Sequence, residues 1–126
     1  MTLRERQAKF LLDVSKLVIW ANENGYEITG GELFRTAQQA EWYKKTGFSR
    51  AGMNSRHCSR LAIDIFVFKD GKLIGDEVEN KHELVPIAEY WESLDPNNSW
   101  GGNWSKIYDF CHFSTGEKPE FARLTK

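Results

Sequence analysis

Cysteine is scarce: two residues in 126, too few for the disulfide scaffold of a small secreted protein. Long apolar runs are missing as well. No stretch approaches the ~18 consecutive apolar residues that a membrane-spanning helix needs. The opening MTLRERQAKF is charged and leads into an amphipathic segment, unlike the apolar core of a secretion signal. The expectation is a chain made in the cytoplasm without a signal peptide, released by another agent if it works elsewhere. An excess of one charge is also lacking. Seventeen basic and eighteen acidic residues leave a net charge of −1, which excludes the basic footprint of a general nucleic-acid binder. Nor is there an internal repeat or low-complexity segment. What is present is 40% hydrophobic and 13% aromatic sequence, enough for one globular domain and a single core. One monomeric domain over 1–126 is expected, with its core in 3–114 and a weakly structured tail in 115–126.

Phe10, Leu11, Val14, Leu17, Val18 and Ala21 recur at helical spacing, predicting a helix over 3–24 with Gly25 as its stop. YEITGGELF reads as a short strand interrupted by two glycines. RTAQQAEWYKKTG predicts a second helix, with Thr36 as N-cap and Gly47 as its end. The polar 48–56 is a loop, and 61–68 is a strand closed by KDGK. Asp-Gly between apolar runs signals a hairpin, so KLIG returns antiparallel. DEVENKH is a solvated connection with His82 as a surface histidine. A third helix over about 84–94 shows Leu84, Ile87, Ala88, Trp91 and Leu94 on one face, with Pro86 in its first turn. DPNNSWGGNW reads as a loop and DFCHFS as a short strand. The sum is an α+β fold: a small antiparallel sheet with flanking helices.

In SRHCSRLAIDIFVF, Asp64 interrupts an apolar strand. A buried carboxylate costs several kcal/mol unless a positive group meets it. A divalent zinc held by His57, Asp64 and His112 would answer that demand, since three protein ligands with one open position make a catalytic zinc site. A bend or bulge before the strand could bring His57 and Asp64 to one side. Asp109, three residues before His112, could serve as the proton-transferring carboxylate of a metallopeptidase. On spacing alone, scattered structural polar residues remain the other reading. Cys58 and Cys111, each beside a histidine, are read as small buried hydrophobes in preference to metal thiolates.

These residues also carry a family resemblance. Ser55-x-His57-x6-Asp64, with LAID entering the strand, resembles the first zinc motif of the D-alanyl-D-alanine carboxypeptidase family. That family's phage members include the L-alanyl-D-glutamate endopeptidases, the endolysins that lyse bacterial walls. AEYWESL, WGGNW and DFCHFS resemble its second half, in matching order over roughly 25–114. The resemblance implies a Hedgehog- and D,D-peptidase-like fold, zinc on His57, Asp64 and His112, and Asp109 as catalytic carboxylate. It places the substrate-orienting arginine at Arg35, with substrate contacts also at Ser55 and Trp100, although Trp100 and Trp104 suit the core equally well. Many members have glycine where this chain has Arg60.

The implied activity is that of a peptidoglycan peptidase of the endolysin type. A zinc-polarised water would attack a peptide carbonyl of the wall's stem peptides while Asp109 serves as base and then acid. Such an enzyme would act on the cell wall after release from the host, or as a virion component. A D,D-carboxypeptidase removing terminal D-Ala uses the same residues. A zinc-stabilised binding module of the same fold is a third reading, one that would not need Asp109.

Overall fold

The structure is a computed structural model, and it describes residues 1–47, 55–103 and 109–116. Residues 48–54 of the loop expected at 48–56, Trp104 and the expected tail from 117 onward lie outside the described residues. Helix α1 spans Leu3–Glu23, and the elements after it are strand β1 (Glu27–Gly30), helix α2 (Ala37–Lys45) and strands β2 (Ala62–Lys69) and β3 (Lys72–Leu73). Helix α3 (Val85–Ser93) and strands β4 (Asn98–Trp100) and β5 (His112–Thr115) complete the order. The sheet is antiparallel throughout, in the order β1-β2-β5-β4, with β3 also pairing with β2. This is the expected α+β architecture. No helix among the described residues is long and apolar enough to cross a membrane.

Local chemistry explains most boundaries. Thr2 and Glu5 close a capping box at the start of α1, exchanging hydrogen bonds of 2.8 and 3.1 Å. Gly25 ends the turn after α1 at φ +87°, a left-handed conformation that favours glycine. The Thr36 hydroxyl caps α2 by accepting from the Gln39 amide at 3.1 Å. Asp70 and Gly71 both take positive φ, the signature of a tight hairpin turn between β2 and β3.

Helices α1 and α3 pack together, α1 also meeting β1 and α3 meeting β4. The core joins Phe10, Val14 and Leu17 of α1 to Ile65 and Val67 of β2, Ile87 and Trp91 of α3, Trp100 and Phe113. On β2, residues 63, 65 and 67 therefore point to the helices. Asp64 and its cross-strand partner His112 point to the other face, as the period of two requires.

Several expectations are corrected. Leu11 and Val18 face solvent at 59% and 40% exposure, while Asp13 takes an inward position on α1. It is tolerated because Lys9 Nζ donates to both its oxygens at 2.7 Å and Asn98 Nδ2 lies at 3.4 Å. The connection expected at 76–82 enters a 3-10 helix, Val78–Leu84, and within the expected loop at 95–104 residues Asn98–Trp100 form β4. The turn formers before it conceal that strand, whose three residues are all buried. The last strand runs Asn98's partner register to Thr115, one residue into the expected tail.

Candidate metal centre

Among the described residues a bend before the strand, and not a bulge within it, brings His57 to Asp64. A 3-10 helix, Arg56–Ser59, carries His57, with the Ser55 hydroxyl accepting from the His57 amide at 3.2 Å. Arg60 then turns the chain into β2 at φ +57°. Glycine would adopt that conformation without the Cβ penalty that Arg60 bears. In compensation, the Arg60 guanidinium stacks over the Phe34 ring at 4.2 Å.

His57 is almost fully buried, with Nδ1 3.1 Å from the Leu33 carbonyl. A proton on Nδ1 satisfies that carbonyl and leaves the Nε2 lone pair directed at Asp64 Oδ1, 3.4 Å away. Two lone-pair-bearing atoms facing each other suit a shared cation. A tetrahedral zinc with bonds of about 2.05 Å has ligand–ligand edges of about 3.3 Å, close to that separation. One donor atom from each of His57, Asp64 and His112 falls within 4.8 Å of the others. The histidine rings stand 5.3 Å apart, nearly perpendicular. Two imidazoles and a carboxylate are an ordinary zinc donor set, so the residues present fit the ion.

Asp64 is less buried than its apolar surroundings imply, with 21% of its side chain exposed at the site's mouth. His112 is deeply buried. Desolvation, followed by the proximity of His57, pushes its imidazole down to about 3, so it is neutral at physiological pH. Neutral imidazole is the metal-binding form. Asp109 Oδ2 lies 3.9 Å from His112 Nδ1. Partial burial, then the Asp64 charge, moves the Asp109 carboxyl upward from its usual range. Solvent at its exposed side limits that effect.

Backbone geometry fixes these positions. The Asp109 amide donates to Gly101 O and the His112 amide to Asp109 O, each at 3.1 Å. A Cβ on Gly101 would collide with the Asp109 carbonyl, and one on Gly31 would come 3.0 Å from Asp64 Cβ. Cys111 Sγ sits 3.4 Å from Asp109 Oδ1, and both cysteines are half-buried free thiols. Burial pushes the Cys111 thiol well above its ordinary range, against thiolate ligation.

Arg35 is also brought to this region. Its amide donates to His57 O at 3.2 Å, and its Nη1 approaches Ser55 Oγ at 3.3 Å. Nε and Nη2 both donate to Glu32 Oε1, at 2.8 and 2.5 Å, and Tyr43 lies beneath the guanidinium at 4.8 Å. Trp100 is different. It is 1% exposed and its indole N–H donates to Phe110 O at 2.8 Å, so it packs the core and offers no face to a substrate. His82 is exposed, as expected of a surface histidine. Glu32 escaped the sequence reading; its only signal was an acidic residue three positions before Arg35.

A family model described as D-alanyl-D-alanine carboxypeptidase matches residues 49–115. Among solved structures, the chain resembles the Serratia marcescens L-Ala D-Glu endopeptidase ChiX, with a TM-score of 0.63 at 19% identity. The match covers 90% of this chain and 85% of that one. No curated protein matches.

Proposed function

Because the chain belongs to the D-alanyl-D-alanine carboxypeptidase family, we propose that it is a zinc-dependent peptidase of bacterial peptidoglycan, acting as an endolysin-type L-alanyl-D-glutamate endopeptidase on the wall's stem peptides. The observation that carries this reading is the convergence of His57, Asp64 and His112 donor atoms within 4.8 Å, with Asp109 alongside. Endopeptidase activity is preferred because ChiX, with the same fold, is an L-Ala D-Glu endopeptidase. The family model's own description favours a second reading, D,D-carboxypeptidase activity.

Bound to the three ligands, zinc would supply Lewis acidity, polarising the scissile carbonyl and making water a nucleophile near neutral pH. The chain's own residues do the rest. The Asp109 carboxylate accepts the proton of the attacking water and later delivers it to the leaving amine. Its upward shift brings it nearer to working pH, as a group that both takes and gives a proton requires. The Arg35 guanidinium, held from behind by Glu32, aims its remaining N–H groups at a substrate carboxylate. Ser55 ties that guanidinium to the His57 turn. The protein would act as a monomer at the cell wall, after its release from the cytoplasm or as a virion component.

Zinc analysis of the purified protein, joined to mass spectrometry of digested muropeptides, tests the reading. One zinc per chain and cleavage between L-Ala and D-Glu are expected, with both lost in His57→Ala and His112→Ala. Free D-alanine as the sole product would replace the endopeptidase reading by the carboxypeptidase one. A full zinc equivalent in either histidine variant would refute the ligand set.

A further inference from the structure

Arg35 is a cation buried to 6% exposure, and among the described residues its one ion pair is with Glu32. Such a charge is costly without a partner, and a freed guanidinium seeks the nearest carboxylate. Asp64 is the carboxylate that meets His57, its Oδ1 3.4 Å from Nε2. The backbone keeps these groups together, since Glu32 O accepts from the Asp64 amide at 2.9 Å and the Arg35 amide donates to His57 O. Glu32 Oε1 also stands 3.9 Å from His57 Nδ1. The Glu32 main chain thus braces one proposed ligand, while its side chain holds the cation that would compete for that ligand.

We propose that Glu32 is a positioning residue, the dedicated counter-ion that keeps the Arg35 guanidinium directed at substrate and off the metal-binding carboxylate Asp64. This rests on the zinc-peptidase reading above. In its absence Arg35 would pair with Asp64, occupying oxygens a metal needs and placing a positive charge beside the cation site.

The test is a competitive zinc titration against a chelating dye, with kcat and KM for a muropeptide, on the full chain and three variants. Glu32→Gln keeps the side chain's shape but removes its charge, so zinc affinity should fall by about tenfold or more and KM should rise. Arg35→Gln should raise KM without weakening zinc binding. The double variant Glu32→Gln/Arg35→Gln restores the wild-type charge balance. Its zinc affinity should return to within about threefold of wild type while KM stays high. Unchanged zinc affinity in Glu32→Gln would overturn the proposal. So would a loss that persists in the double variant, because a merely structural glutamate would behave that way. Failure of the wild-type chain to take up zinc would instead overturn the metal reading and this proposal with it.

Discussion

Replacing Gly101 by alanine tests how the fold sets the chemistry, because the substitution leaves every proposed ligand and the proposed base in the sequence. An alanine Cβ there would overlap the Asp109 carbonyl oxygen and lie 3.0 Å from Asp109 Cβ and 3.1 Å from its carbonyl carbon. These are backbone and near-backbone atoms, so no rotamer change relieves the clash. The two segments must separate by about 1 Å to restore van der Waals contact. That movement stretches Asp109 N–H to Gly101 O, and it drags the Asp109 carbonyl from the His112 amide. Overpacking costs about 1–3 kcal/mol, and the weakened hydrogen bonds add about 1 kcal/mol. For a domain of this size the loss corresponds to a fall in Tm of roughly 5–15 °C. A displacement of about 1 Å at a catalytic group costs on the order of 10²-fold in rate. Gly30→Ala is the matched control, since nothing lies within 4 Å of its Cβ and its φ is not left-handed. Differential scanning calorimetry and muropeptide turnover of both variants measure the contrast. Wild-type Tm and turnover in Gly101→Ala would refute the reasoning.

The two aspartates should give opposite results in one metal assay. Asp109→Asn should retain zinc and lose about 10²–10⁴-fold in turnover, whereas Asp64→Asn should lose zinc; full hydrolysis by zinc-loaded Asp109→Asn would require a different base. The metal-free chain should lose stability as pH falls. His112 is depressed from 6.5 to about 3, so its contribution is complete above the unfolded value and disappears as pH drops toward the folded one. Asp109, shifted upward, works in the opposite sense, so the His112 part is the difference between wild-type and His112→Gln urea-unfolding profiles; superimposable profiles from pH 7 to pH 4 would contradict it. Arg60→Gly relieves a left-handed residue but gives up the contact with Phe34, and these effects should nearly cancel. Arg60→Ala keeps the strain and loses the contact, so it should be less stable than the glycine variant by about 1 kcal/mol in chemical denaturation, and equal stabilities would count against this account.

Most of the frame was readable because local rules and tertiary demands agree. The Asp-Gly turn, the Thr36 cap and the face formed by Leu84, Ile87, Ala88 and Trp91 each follow from neighbours in sequence. Where the reading failed, a distant partner decides. Asp13 is buried because Lys9 and Asn98 meet it, and nothing near Asp13 in the helix pattern announces Asn98. Asn98–Trp100 becomes a strand because β5 lies beside it, despite the turn formers that precede it. Trp100 fits both a cleft wall and the core, and its burial and its bond to Phe110 O decide for the core. In the candidate site the motif residues stood out through the family resemblance, since their spacing alone fitted scattered structural polar residues as well. The left-handed turn at Arg60 and the Glu32–Arg35 pair did not, since each depends on three-dimensional approach.

The register that sets Asp64 opposite His112 joins residues 48 positions apart. Ribosomes deliver a chain from its N-terminus, so β2 emerges well before its partner strand. Until residue 112 has left the exit tunnel, the growing polypeptide holds only two of its three proposed ligands and, before residue 109, no proton-transferring carboxylate. For a protein proposed to dismantle a bacterial wall, the last-made part of the site is thus the part that arms it. Partly made or truncated chains would be harmless to the cell that makes them.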